Sequence, residues 1–80
     1  MVIDVTRSHI KVTLFNKTAT LPGEMFFPEN GKLGFVVFRN EAKFWDNPND
    51  ASPITQEDMV SIIEDIRADF AKGGHVLELE

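Results

Sequence analysis

Few side chains in this 80-residue sequence are of a kind that does chemistry, and their spacing narrows them further. There is no cysteine, so the chain has neither a disulfide nor a thiol nucleophile, which suits a reducing cytosol. The two histidines, His9 and His75, lie far apart, and neither stands at a metal-ligand spacing from a second strong ligand. Both read as ordinary strand histidines. Ser8 adjoins His9, but neighbours on a strand point to opposite faces, so the two do not make a nucleophile and its base. Asp46, Asp50 and Glu57 occupy the first, fifth and twelfth positions of a calcium-loop pattern. Pro48 stands at the third position, where a ligand belongs, Ala51 replaces the glycine of the sharp turn, and no helix precedes the loop. Chance and helix capping explain the pattern better than a metal does. Glu24 and Glu29 would form a glycosidase-type pair only across a cleft holding the carboxyls about 5–10 Å apart. A chain this short has little room for one, and both read as surface carboxylates. No catalytic, cofactor-binding or metal-ligating residue is assigned, and a small hydrolase is the least supported of the functions open to the chain.

The eight aromatics raise a different question, that of binding. They are Phe15, Phe26, Phe27, Phe35, Phe38, Phe44, Trp45 and Phe70. One core cannot bury them all; Phe35, Phe70 and one of Phe26 and Phe27 are expected inside it. Phe44-Trp45 precedes DNPNDASP, a loop of turn residues. The pair is either a lid over one end of the core or an anchor for a partner. The lid is preferred, because a lone exposed tryptophan is costly to a monomer. Stacking on nucleic acid would need a basic groove around the rings, and the charge near Trp45 is acidic.

The element that must position these residues is an amphipathic helix, about 55–72, within Ile54–Gly74. Thr55 is a good N-cap, with Asp58 three residues on as its capping-box partner. Ile54 and Met59 fit a hydrophobic staple. Met59, Ile62, Ile63, Ile66 and Phe70 make one apolar stripe, and Gly73-Gly74 end the helix. A lone helix of this length is marginal in water, so the stripe needs a sheet to cover.

Hairpin-like segments supply that sheet. Val2, Ile3 and Val5 make a short strand or a loose arm. His9–Phe15 alternates as a half-buried strand, with Asn16-Lys17 as a two-residue turn and Thr18–Leu21 as the return. Pro22-Gly23 punctuates the chain. Glu24–Phe27 is a further strand, and the Asn-Gly of Pro28–Lys32 signals another hairpin. Leu33–Arg39, with GFVVF at its heart, is apolar on both faces, as a central strand is. His75–Glu80 is a final strand, and Leu79-Glu80 is read as native rather than a cloning remnant. The expected fold is α+β: an antiparallel sheet of five to six strands with one long helix on one face, in one domain spanning 1–80.

Composition excludes disorder, with 42% apolar and 26% charged residues. No apolar run reaches membrane-spanning length, and MVIDVTRSHIKV lacks the pattern of a signal peptide. The net charge of −5 is divided unequally, residues 1–43 carrying +2 and residues 44–80 carrying −7. Such an acidic half repels nucleic acid and favours basic partners, unless it merely solvates the helix.

Pro22-Gly23-Glu24, the GFVVF of Gly34–Phe38, Trp45-Asp46-Asn47-Pro48 and the helix opening Pro53-Ile54-Thr55 together resemble the immunity protein 74 family, from about Ser8 onward. The resemblance implies a cytosolic immunity protein of a bacterial polymorphic toxin system, binding and neutralising a toxin domain without enzyme activity or cofactor. Its recurrent positions fall on Gly23, Glu24, Trp45 and Pro48, in structural roles or as contacts. An acidic inhibitor would suit a basic toxin such as a nuclease, which must hold phosphate. The expected contact residues are Trp45, Asp46, Asp50, Glu57, Asp58, Glu64 and Asp65, with edge-strand pairing as the other docking mode. The alternative is a structural or regulatory interaction domain that dimerises through a sheet edge. Oligomeric state and toxin identity are not legible.

Overall fold

The computed structural model describes residues 1–28 and 31–80. Among these, five strands form one sheet in sequence order: β1 (Val2–Val5), β2 (His9–Leu14), β3 (Lys17–Phe26), β4 (Gly34–Val37) and β5 (Val76–Leu79). Helix α1 (Gln56–Gly73) covers one face, and a single 3₁₀ turn occupies Arg39–Glu41. The architecture is the α+β arrangement expected, with the N-terminal residues forming a strand rather than an arm.

The β2–β3 hairpin turns at Phe15-Asn16, one residue earlier than its asparagine suggested. Leu14 pairs with Lys17, and both turn residues have positive φ, 54° and 59°. Two successive positive φ angles are what a tight hairpin matching the sheet's twist requires. The resulting register sets Ile10 against Leu21 and Val12 against Ala19, and all four are fully buried. That pairing offsets the steric cost of a left-handed phenylalanine.

The two short strands expected on either side of Pro22-Gly23 are one strand that changes partner there. Through Pro22, β3 pairs with β2 on one edge; from Gly23 it pairs with β4 on the other, while Gly23 and Met25 N–H still donate to the Ser8 and Arg7 carbonyls on the first, both at 2.9 Å. The Pro22 carbonyl accepts from Phe38 N–H at 2.9 Å, just beyond the Gly23–Val37 pair, so the donor that proline lacks falls at the ladder's end. Gly23 is required by close approach. A Cβ there would lie 2.0 Å from the Val36 carbonyl oxygen and 2.4 Å from the Phe35 ring.

β1 through β4 are antiparallel, but β5 joins β4 in parallel, making the sheet mixed. Helix α1, about 27 Å long at 1.5 Å per residue, carries the chain back along the sheet so that the last strand starts where β4 starts. The Asn-Gly hairpin signal lies partly outside the described residues, which exclude Glu29 and Asn30.

The core joins Ile10, Val12, Ala19, Leu21, Phe35 and Val37 of the sheet to Ile62, Ile63, Ile66 and Phe70 of α1, with Trp45 and Ala42 at one end. Phe35 and Phe70 are where the sequence placed them. Neither Phe26 nor Phe27 joins them. Strand alternation turns Met25 inward, lays Phe26 over Gly34 on the opposite face and leaves Phe27 73% exposed.

Candidate partner interface

The residues expected to touch a partner lie on two segments, the loop from Phe44 to Pro53 and helix α1. Folding treats the segments differently.

The loop closes on itself. Phe44 forms a bridge with Pro53, Trp45 N–H donates to the Ser52 carbonyl at 3.2 Å, and Ile54 N–H donates to the Lys43 carbonyl at 2.9 Å. It then docks against β3 where β4 has not begun. Asp46 N–H donates to the Thr18 carbonyl at 2.7 Å, and the Asp46 carboxylate accepts from Thr20 Oγ1 at 2.6 Å. Successive extended residues point to opposite sides, so Trp45 enters the core while Asp46 bonds along the strand. Trp45 is 1% exposed and Phe44 56%. The lid is therefore the tryptophan and the outward ring is the phenylalanine. Lys17 Nζ lies 5.4 Å from the Trp45 ring centroid, a cation–π contact that covers the indole from the hairpin side. As folded, Trp45 offers a partner no surface.

The helix has the caps predicted for it. Thr55 Oγ1 accepts from Asp58 N–H at 3.0 Å, and the Asp58 carboxylate accepts from Thr55 N–H at 3.1 Å. At the other end Gly74 is left-handed, φ 69°, and its N–H reaches the Ala71 and Phe70 carbonyls. His75 packs against Phe70 edge-to-face at 6.0 Å, and its Nδ1 accepts from Leu33 N–H at 3.0 Å. His9 is likewise in a structural pairing, its Nδ1 3.1 Å from Thr6 Oγ1.

Engagement sorts the six candidate carboxylates. Asp46 is held by Thr20, Asp58 closes the capping box, and Asp65 meets the Met1 ammonium at the side of the helix. Asp65, expected among the contact residues, is thus half-buried and already paired rather than free on the outer face. Asp50, Glu57 and Glu64 are exposed and without a partner among the described residues. Glu57 and Glu64, two turns apart, share the outward ridge of α1 with Val60.

The structure also gathers residues that spacing could not flag. Arg39, Lys43 and Arg67 line one groove between α1 and the Arg39–Glu41 turn. Arg39 and Arg67 are 28 positions apart, and no periodicity links positions brought together only by the chain's return over the sheet.

A family model described as immunity protein 74 matches residues 2–80. The chain belongs to the immunity protein 74 family. The match extends the resemblance, noted from Ser8, back through β1. No curated protein and no solved structure matches the chain. Membership implies an immunity protein with a protein partner, a toxin. Of the four recurrent positions that the resemblance implies, Gly23 and Trp45 serve the fold, by close approach and by filling the core. Pro48 is exposed and follows a cis bond from Asn47. Glu24 is exposed on the sheet face away from α1, opposite Val36. Among the described residues no helix is long and apolar enough to cross a membrane.

Proposed function

We propose that this member of the immunity protein 74 family binds its cognate toxin domain in the bacterial cytosol and neutralises it by occluding its working surface. The supporting observation is the set of unpaired carboxylates at Asp50, Glu57 and Glu64, in the half of the chain that carries −7. Carboxylates free of intramolecular partners cost nothing to disengage, and an acidic patch speeds encounter with a basic protein. A nuclease fits that description, since its surface holds phosphate. Trp45 contributes by holding the loop on which Asp50 stands, and Asp46, Asp58 and Asp65 by fixing loop and helix in place. No catalytic step is assigned to the chain.

The test is genetic and biochemical. Cells expressing the toxin domain encoded beside this gene should survive only when this chain is co-expressed, and the two proteins should co-purify. Absence of both protection and complex would end this reading.

A second reading is favoured by the outer edge of β5. Val76 and Glu80 N–H groups donate to Leu33 and Val37 of the β4 side, so alternation turns Leu77 and Leu79 N–H outward. An unpaired edge can join a second copy, giving a homodimeric interaction domain. Sedimentation of the protein alone separates the readings: a tight dimer supports the second, and a monomer that binds toxin supports the first.

A further inference from the structure

The groove that gathers Arg39, Lys43 and Arg67 has the opposite sign from the ridge beside it, and Val60 and Glu64 stand on the border that the two share. It consists of two adjoining hollows, about 470 and 260 Å³, whose walls share Arg39, Gln56 and Met59. The smaller hollow has the apolar wall, formed by Met59, Ile63 and Leu79, with Val60 54% exposed at the lip. The three cations are exposed, and none is in an ion pair with a described residue. Glu64 is the one carboxylate among the described lining residues, so the groove carries an excess of two positive charges in a chain of net −5.

The unremarkable account of such cations is that their alkyl stems lie over apolar surface while their charges stay in water. Here the hollows are open and Val60 stands uncovered beside them, so the stems do not close the groove. An unpaired guanidinium is a planar, bidentate receptor for a carboxylate, and two of the three cations are arginines. A small free anion would leave Val60 and the exposed part of Met59 uncovered. A nucleic acid would bring its phosphates against Glu57 and Glu64 on the adjoining ridge.

We infer that this groove receives an acidic segment of the toxin, with one apolar side chain seated between Met59, Val60 and Ile63 and its carboxylates on Arg39 and Arg67. The inference rests on the immunity reading and sharpens it. The partner presents a basic surface to Glu57 and an acidic, apolar-anchored segment to the groove. Two adjacent contacts of opposite sign fix orientation, because a rotated complex sets like charges together.

The experiment measures affinity of the full chain for the co-encoded toxin domain by titration calorimetry at low salt. Arg39→Glu with Arg67→Glu should weaken the complex at least tenfold while the circular dichroism and melting temperature stay those of the wild type. Val60→Asp should weaken it as well. Arg39→Gln with Arg67→Gln, a milder pair, should fall between wild type and the reversal, and serves if the reversal disturbs folding. Reversing an acidic toxin residue to lysine should restore binding to the Arg39→Glu, Arg67→Glu protein. Wild-type affinity in the folded charge-reversed variants overturns the groove inference and leaves the immunity reading intact. A wild-type chain that neither binds nor protects against the toxin overturns both.

Discussion

Between Phe44 and Pro53 the chain offers a tryptophan, two aspartates and an exposed phenylalanine; along the outward ridge of α1 it offers two glutamates and an exposed valine. In composition both segments look like binding surfaces. In the fold, the loop spends its indole on the core and one of its carboxylates on Thr20, whereas the ridge spends nothing. The difference comes from what each segment faces. The loop runs along the half of β3 that β4 leaves unpaired, where backbone groups and a cavity end need partners. The ridge faces solvent, because one helix covers one sheet and its far side has nothing to cover. Acidic and aromatic residues near one another are thus weak indicators of an interface until it is known what they lie against.

Perturbing the loop should therefore cost stability, and perturbing the ridge should cost binding. The largest effect is expected at Trp45. Trp45→Ala should lose about 3–5 kcal/mol, as truncation of a buried aromatic does, which is much of the stability of a domain this size. Urea denaturation measures it, and a loss below about 1 kcal/mol would mean the loop is not anchored by its indole. Gly23→Ala should follow at about 1–3 kcal/mol, since the atom in the way is the Val36 backbone carbonyl and β3 and β4 must shift apart. A thermal melt with unchanged midpoint would show that the strands have slack.

Smaller still is Thr20→Val, which removes the hydroxyl that Asp46 accepts from and should cost about 1–2 kcal/mol. Hydrogen exchange at the Asp46 amide should quicken in the same variant, since its bond to the Thr18 carbonyl loses its neighbour. An unchanged exchange rate would assign the loop's anchorage to Trp45 alone. Glu57→Lys with Glu64→Lys should change stability by no more than about 1 kcal/mol, the part lost coming from Glu57 in the first turn of α1, where the helix dipole favours an anion. The same pair should slow toxin association, with the difference from wild type shrinking as salt rises. A double variant destabilised by more than this, or an association rate indifferent to it, would erase the contrast between ridge and loop.

The sequence by itself determined the helix and its ends, because the signals that set them are local. Thr55, Asp58 and the two glycines act within a turn of where they stand, and the stripe from Met59 to Phe70 is a property of 3.6-residue spacing. It also determined that a sheet must lie beneath that stripe, and that the C-terminal half is acidic. The partner change of β3 at Pro22-Gly23 was not legible, since a proline and a glycine inside a strand look the same as a break. Nor was the parallel placement of β5, which depends on where the helix delivers the chain. Of the seven expected contact residues, only Asp50, Glu57 and Glu64 are unengaged. The rest are held by Thr20, Thr55, the Met1 ammonium and the core. Those partners, and the convergence of Arg39, Lys43 and Arg67, were decided by tertiary structure alone. Which carboxylate is free and which cations meet depends on contacts between residues far apart in the chain, and residue spacing carries no record of them.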